Sequence, residues 1–492
     1  MKLLFKNILW ATILTVIFSS CKKQVLDINT DPNNPTTASA TPDLVLANAL
    51  NVTAAIYNNP TSDNRFAFAG LWLGHIGYSG NYAISTENLS YAITSNFGAG
   101  TWSSIYDNQT DYDFVEQKGK AIGNGFYEAI GKLMKAYNFQ TLVDLYNNAP
   151  YSQALQGTNA SKPSYDDAKA VYDDLGKKMD TAISLFKVAI AGSIGGDIMF
   201  AGDPVKWLKF ANTVKLRLLL RQSQRADRAA YITAEVAKFN ATTGFLDIDA
   251  TVNPGFLNSA GKTNPFWGSN INTAGTYTQD FYRAGAYAVN FLKAHNDPRL
   301  ARFYVAAVGT GQFQGNFFGE QGMVNSRTST FGPGILKAFS QPAVIMLAAE
   351  SYFIQAEAAL RGWISGVPKT LYQKGVEASF KFLGLTTVQA TTYYSRPADK
   401  EVNWDATTSF QESLALIIRQ KWAALTLINE LEPFNDYRRL GLPADVPLSL
   451  SPLSSGAMPT RLLYPQREYE VNGDNVGAQG TITPISKVWW MP

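Results

Sequence analysis

The chain has 492 residues, a formal net charge of +3 and 16% charged residues. A balance so near neutrality, with no stretch rich in Lys and Arg in the mature sequence, argues against a nucleic-acid partner. The one cysteine excludes an intramolecular disulfide and a cysteine-based metal site. Length alone allows two to four domains, although helical repeat folds of this size often form one continuous body.

The N-terminus has the pattern of a secretory signal. Lys2 and Lys6 precede an apolar run over 8–18, and Ser19, Ser20 and Cys21 follow. The run is too short to span a bilayer, which takes roughly 20 apolar residues. A sole cysteine at this place resembles a bacterial lipobox, although Phe rather than the usual Leu stands three positions before it. We therefore expect residues 1–20 to be a signal peptide and Cys21 to carry the lipid; the alternative is a signal peptide whose cysteine is incidental.

Residues 21–43 are predicted to form a lipidated flexible tether. The stretch is rich in Asn, Thr, Asp, Pro and Ala and offers few apolar side chains to bury. The folded part is expected to begin near Leu44 and to form a single domain over 44–492.

Helical periodicity returns in pairs along that domain, which predicts a mainly α fold with four tetratricopeptide-like hairpins. Each such unit needs its neighbour to cover its apolar face. The predicted pairs are 130–145 with 165–186, 204–218 with 229–239, 349–360 with 371–383, and a fourth marked by Leu414, Ile418, Trp422 and Leu425.

Two segments, near 78–101 and 241–334, interrupt this pattern. They are rich in Gly, Asn, Thr and aromatic residues and show little helical periodicity. We interpret them as loop-rich insertions on a helical frame. Loops held by a rigid scaffold are where binding sites tend to lie, so the ligand site is expected there.

Motifs that would indicate nucleotide binding, metal binding or catalysis are weak. Residues 255–263 resemble a phosphate-binding loop, but five residues separate the glycines where four are needed. His75 and His295 are far apart and have no cysteine to join them, so both are interpreted as structural. A pair of catalytic carboxylates has no local signature. We expect no catalytic residue, no metal and no cofactor.

A series of short segments runs along nearly the whole chain. They are LDINTDP at 26–32, KAYNFQTLVDLY at 135–146, APY at 149–151, GD at 196–197, WLKFANTVKLRL at 207–218, NDPR at 296–299, ESYFIQAEA at 350–358, QKW at 420–422, DYRR at 436–439, PTR at 459–461, YP at 464–465 and WW at 489–490. Each segment is weak alone, but their order and spread make chance similarity implausible. Together they resemble the SusD/RagB family of nutrient-binding outer-membrane lipoproteins, most closely its SusD-like subgroup.

The resemblance implies an outer-membrane lipoprotein that faces the cell exterior, sits as a lid on a SusC-like TonB-dependent transporter and presents glycans to it. It agrees with the anchor, the tether and the helical hairpins. Two alternatives stay open in the same architecture: capture of peptides or another non-sugar nutrient, and an assembly protein that binds no ligand. An enzyme is not expected.

Ligand-binding candidates are aromatic and amide side chains of the two insertions, because sugar rings stack on aromatic faces and amides complete hydroxyl hydrogen bonds. Trp72 with Phe68 has a second interpretation, in which both lie on a helix and face the core. Trp102, Trp207 and Trp422 are assigned to packing, and Arg438 and Arg439 to helix capping or ion pairs. The predicted ligand residues are Trp72, Tyr78, Asn81, Tyr82, Trp267, Asn270 and Tyr277.

Overall fold

The computed structural model describes residues 40–62, 65–239 and 243–492. The predicted signal peptide, Cys21 and nearly all of the predicted tether lie outside these residues. The first described helix begins at Pro42, so Pro42 and Asp43 belong to a helix and not to the tether. A single domain from Leu44 onward stays a prediction.

The described chain is mainly helical, with short strands between the helices, which confirms the predicted fold class. Its N-terminal half contains α1 Pro42–Tyr57, α2 Ala67–Trp72, β1 Ile76–Tyr78, α3 Thr86–Ser90, α4 Ala99–Ala121, α5 Gly125–Tyr146, β2 Ala149–Pro150, β3 Tyr165–Asp166, α6 Ala168–Val188, α7 Pro204–Arg221, α8 Ala229–Val236 and β4 Ala250–Val252.

The C-terminal half has the same character, and no helix in the described ranges is long and apolar enough to cross a membrane. Its elements are α9 Pro265–Gly268, β5 Tyr282–Ala284, α10 Ala286–Ala294, α11 Leu300–Phe303, β6 Tyr304–Val305, β7 Thr330–Phe331, β8 Ala343–Met346, α12 Ala348–Leu360, α13 Pro368–Phe382, α14 Thr387–Tyr394, α15 Phe410–Leu425, α16 Leu431–Leu440, α17 Gln466–Val471 and α18 Gly473–Gly477.

The predicted helix pairs are present. Helix α5 packs against α6, α7 against α8, α12 against α13 and α15 against α16. Their tetratricopeptide-like geometry stays a prediction. One long helix was not predicted: α4 packs along α5 and also contacts α1. Its buried face includes Asn108, Gln109 and Glu116, so the apolar period that reveals a helix is broken there by polar residues.

The two predicted insertions are joined by a small sheet. Strand β1 pairs antiparallel with β5, with Tyr78 opposite Tyr282. This pairing brings the segment after residue 78 beside the segment that ends near 282. Apart from the start of α4 at Ala99, the two segments contain only short strands and short helices.

A buried network of charged side chains ties the helices together. Arg221 of α7 donates to both Glu432 oxygens, at 2.7 and 2.9 Å, and to Asp144 Oδ2 at 3.2 Å. Arg439 of α16 makes a two-bonded pair with Glu357 of α12, at 2.6 and 2.7 Å. These partners come from four different helices, so the network fixes how the helices pack.

Many segments that carry the family resemblance lie in this core. Arg438, assigned to capping or ion pairs, donates to the backbone oxygens of Asp144 and Thr460 at 2.6 and 2.8 Å. Trp207 and Trp422, assigned to packing, are 0% and 1% exposed. In these segments the residues that carry the family resemblance pack the helices together and do not form a ligand site.

Candidate functional site

Trp72 is not available to a ligand. Its side chain is 1% exposed, and its ring lies parallel to that of Phe97 at 5.9 Å. The indole Nε1 donates to Asn88 Oδ1 at 2.7 Å. The ring of Phe68 lies 4.8 Å away on the same helix. The interpretation that placed Trp72 in the core is correct, and its selection as a ligand residue is wrong, because a side chain enclosed on every face offers none for stacking.

Tyr78 and Asn270 are also buried, at 3% and 0% exposure. The hydroxyl of Tyr78, in β1, accepts from Asn88 Nδ2 of α3 at 2.7 Å. Asn270 Nδ2 donates to Phe266 O at 2.8 Å and to Ser269 Oγ at 3.0 Å, which closes the turn after α9. Both predictions are corrected: these polar groups are used to hold loops in place.

Tyr82 and Asn81 are exposed, as the prediction requires. Tyr82 is 43% exposed and its ring lies 5.8 Å from that of Phe281 at an interplanar angle of 72°, so Phe281 supports the ring and part of it remains accessible. Asn81 Oδ1 accepts from the backbone of Asn325 at 3.2 Å. The Asn81 Nδ2 donor has no partner in the described part of the chain, which leaves it free for a ligand hydroxyl.

Trp267 lies in α9 and is half-buried against the core. Asn264 precedes the helix and accepts from Trp267 N at 3.0 Å, while its own Nδ2 donates to Gln341 O at 3.0 Å. The tryptophan is thus held by a capped helix tied to a distant segment. Beside it is a cavity of about 470 Å³ whose walls are Ala260, Gly261, Thr263, Pro265, Gly268, Ile271, Asn272 and Thr273.

Tyr277 is half-buried and bridges to Ile271, so residues 271–277 form a tight hairpin after α9. Burial raises the pKa of the Tyr277 hydroxyl, so the group stays protonated at neutral pH. The hairpin connects to the Tyr82 side through Gln279, whose Nε2 donates to Ser269 O at 3.4 Å and whose Oε1 accepts from Phe281 N at 3.1 Å.

A buried arginine organises this surface. Arg283 of β5 is 5% exposed and donates to the backbone oxygens of Asn325 and Thr328, at 2.8 and 3.1 Å, and to Thr328 Oγ1 at 3.0 Å. Burial lowers its pKa, but an arginine remains charged at neutral pH. The cation therefore fixes residues 325–328, the segment that contacts Asn81.

The same strands leave no space for a side chain at Gly77. A Cβ there would lie 2.6 Å from the Asn316 backbone oxygen and 3.0 Å from that of Ala284. Asn316 itself is buried, and its Nδ2 donates to Tyr78 O at 2.6 Å and to Met323 O at 3.2 Å. The loops are packed on β1 at backbone distance, so the surface is preformed.

We name this region the loop face: the exposed residues Asn81 and Tyr82, the half-buried residues Trp267 and Tyr277, and the hairpin over 271–277. It offers two accessible rings, amides and hydroxyls held on a rigid base, which suits binding of a ligand with apolar faces and hydroxyl groups. Periodicity did not reveal the supporting residues Phe281, Asn325 and Arg283. Phe281 and Arg283 lie at β5, and Asn325 is held there by Arg283. The pairing of β5 with β1, which brings them to this surface, is not visible in the sequence.

The two histidines have structural partners. His75 is 0% exposed, with Nδ1 2.5 Å from Glu430 Oε2 and its ring 4.7 Å from that of Trp422. His295 Nδ1 lies 2.8 Å from Asp399 Oδ2. In the ranges the structure describes, no group of three or more His, Cys, Asp and Glu side chains is arranged to hold a metal ion.

Comparison with known proteins gives one family. The family model of SusD-like proteins, described as starch-binding and associating with the outer membrane, matches residues 32–465. No curated protein matches the chain. Solved structures share the fold at low sequence identity.

One is a SusD-like protein of Bacteroides thetaiotaomicron, with 23% identity, 92% of this chain and 99% of that chain covered, and a TM-score of 0.75. Another is a chitin-binding SusD homologue of Flavobacterium johnsoniae, with 22% identity, 90% and 98% covered, and a TM-score of 0.75. A SusD homologue of Bacteroides fragilis has 21% identity, 92% and 99% covered, and a TM-score of 0.73. With the family model matched over most of its length, this chain belongs to the SusD-like family, described as associating with the outer membrane.

Proposed function

We propose that this protein binds a glycan at the outer membrane and delivers it to a TonB-dependent transporter of the SusC type, without cleaving it. The observation that carries the proposal is the loop face, where the exposed ring of Tyr82 and the half-buried ring of Trp267 stand among uncharged amides and hydroxyls. Sugar rings bind such surfaces through stacking of their C–H faces and through hydroxyl hydrogen bonds.

The comparisons support a sugar as the ligand. The family is described as starch-binding, and the Flavobacterium neighbour is a chitin-binding protein. For this chain, the glycan is inferred from those relatives together with the chemistry of the loop face. Peptides and other non-sugar nutrients are the alternative ligands.

Attachment and partner follow from the N-terminal sequence and the family. Cys21 would carry the lipid, and the tether after it would let the folded part lie over a transporter on the cell exterior. A tethered binder raises the effective concentration of ligand at the transporter mouth, which suits oligomers too large to diffuse through pores.

The test is calorimetric titration of the full chain, purified in detergent, with a panel of polysaccharides. We expect at least one polysaccharide to bind, and expect Tyr82→Ala or Trp267→Ala to weaken that binding. Binding that survives both substitutions would remove the loop face as the site. Unchanged size of the recovered polysaccharide would support binding without cleavage.

Two further results would replace the proposal. If only the peptides of a matched panel bind, the protein captures peptides. If neither panel binds but a transporter is recovered with the full chain from outer membranes, the protein acts in assembly.

A further inference from the structure

A second cavity lies on elements that the loop face does not use. It is enclosed by α4, the segment 150–163 and α17, and has a volume of about 400 Å³. None of the seven predicted ligand residues lines it. Its size falls in the lower part of the range of about 300–1,000 Å³ typical of small-molecule sites.

The floor of this cavity is apolar and rigid. The half-buried ring of Tyr106 lies 5.0 Å from the ring of Trp102 on α4, and Trp102, which is 6% exposed, packs beneath it as the sequence predicted. The Tyr106 hydroxyl donates to Pro150 O at 2.7 Å, which fixes its ring. The saturated rings of Pro163 and Pro465 form part of the wall. Flat and cyclic apolar surfaces of this kind accept the C–H face of a small ring-shaped ligand.

The rim of the cavity carries polar groups that are not used by the fold. Ser103, Asp107, Ser161 and Arg467 line it, and none of these four side chains has a hydrogen bond or ion pair within the described ranges. The charged residues of the lining are Asp107 of α4 and Arg467 and Glu468 of α17, two carboxylates and one guanidinium. The rim therefore offers donors and acceptors to an uncharged ligand and disfavours an anion.

The neighbouring cavity, of about 640 Å³, shows the contrast. Its charged side chains already have partners: Lys135 Nζ lies 2.5 Å from Asp113 Oδ1, and Lys178 Nζ lies 3.1 Å from Asp174 Oδ2. Charges neutralised by each other in this way serve the fold. The smaller cavity, with its unpaired rim, is the better candidate for a ligand.

The wall between the two cavities is strained. Leu155 lines both and has φ of 63°, a left-handed conformation that a branched apolar residue rarely adopts. Such a conformation costs of order 1–3 kcal/mol and persists where the surroundings enforce it, often at ligand sites.

We propose that this cavity is a second binding site, for an uncharged saccharide unit of one or two rings. An apolar ring floor with unpaired hydroxyl, carboxylate and guanidinium groups at the rim matches a sugar, whose faces are apolar and whose edges carry hydroxyls. The site is separate from the loop face and does not depend on it.

The test uses saturation-transfer NMR of the full chain in detergent with maltose, cellobiose and N,N′-diacetylchitobiose. Ser103→Trp places an indole in the cavity from an exposed position of α4, and Thr110→Trp is the matched control two turns along the same helix. We expect one disaccharide to bind, its affinity to fall roughly tenfold or more in Ser103→Trp, and Thr110→Trp to bind as the parent does.

The double variant Tyr82→Ala with Trp267→Ala separates the two sites. Saturation transfer that persists in the double variant and disappears when Ser103→Trp is added to it would support the second site, because the loop face can still bind in Ser103→Trp alone. The proposal is overturned if no disaccharide binds, if the double variant binds equally well with Ser103→Trp or with Thr110→Trp added, or if the double variant alone abolishes binding.

Discussion

Side chains only a few residues apart have opposite roles at the loop face. Tyr78, in β1, has its hydroxyl bonded to Asn88 and is 3% exposed, whereas Tyr82, past the end of the strand, is 43% exposed. An enclosed ring contributes to stability through burial and packing. A ring that packs on Phe281 and is 43% exposed keeps surface accessible to solvent.

The ring of Tyr82 is predicted to contact the glycan directly, and its hydroxyl is predicted to contribute less to the affinity. Tyr82→Ala is expected to weaken glycan binding about tenfold, or roughly 1.4 kcal/mol, because the stacking surface is lost. Tyr82→Phe keeps the ring and is expected to bind within about threefold of the parent, roughly 0.7 kcal/mol. Titration calorimetry with the same polysaccharide measures both, and equal losses in the two variants would contradict a stacking role.

Glu357 is predicted to stabilise the helical core only while it is charged. Burial disfavours its carboxylate, but Arg439 and then Arg361 outweigh that cost and lower the pKa of Glu357 to about 2, from 4.5. A lowered folded-state pKa gives stability that is present above pH 4.5 and is lost as the pH falls toward 2. The full effect is of order 3 kcal/mol.

Glu357→Gln tests this pH dependence. At pH 7 the variant is expected to unfold at a clearly lower urea concentration than the parent, because Arg439 and Arg361 lose a charged partner. Between pH 4.5 and pH 3 the difference should shrink, since the unfolded parent takes up a proton at Glu357 while the folded parent stays charged. Glu470→Gln, at an exposed position, is the control. A difference that stays constant with pH would show that the carboxylate charge is not the cause.

At the scale of elements, the loop face depends on one strand. Strand β5 pairs with β1 and carries Arg283, which donates to residues 325–328. The backbone oxygens of Asn325 and Thr328 accept hydrogen bonds from the charged guanidinium of Arg283. An uncharged apolar side chain at position 283 would leave both oxygens without this donor. Order in the loop is therefore expected to depend on this cation.

Arg283→Met is predicted to loosen that loop and to leave the helices intact. Hydrogen exchange measured by mass spectrometry should become faster in peptides covering 279–281 and 323–329. Lys293→Met removes the same charge from an exposed position of α10 and is expected to change neither. Unchanged exchange in the Arg283 variant would mean that β1 and β5 alone order the loop.

The helices that sequence could reveal are those whose buried face is apolar. The periods of α5, α7, α12 and α15 are visible for this reason. Helix α4 was missed because polar side chains fill part of its buried face: Asn108 Nδ2 donates to Ala49 O at 3.0 Å, and Gln109 Nε2 donates to Lys135 O at 2.9 Å. Such hydrogen bonds make a polar face compatible with burial, and a hydrophobic pattern does not show them.

The site was predicted only in outline, for a related reason. Composition located the two loop-rich segments, but whether an aromatic side chain faces ligand or core depends on long-range pairing. Trp72 and Tyr78 are enclosed because Asn88 and distant rings surround them. Tyr82 is free because β1 has ended before it. Neither condition can be read from residues within a few positions.

At the scale of the whole molecule, we propose separate tasks for two parts of the chain: the N-terminal cysteine attaches the protein, and the folded part binds the ligand. The buried ion pairs, such as Arg221 with Glu432 and Asp144, hold one helical frame. The loop face is built on that frame by β1 and β5. Attachment to the membrane depends, in our proposal, on the lipid at Cys21.

Cys21→Ala is therefore predicted to release the protein from the membrane. A protein with several acyl chains on one residue stays bound, because each buried CH₂ contributes about 0.8 kcal/mol. Without the thiol no lipid can be attached. In cells given a radioactive fatty acid, the parent and the control Lys23→Ala are expected to carry label and to sediment with outer membranes. The Cys21 variant should carry no label. A salt wash that removes proteins held only through a transporter should release it from the membranes into the soluble fraction. Label on the Cys21 variant, or its retention through that wash, would show that attachment depends on another part of the chain.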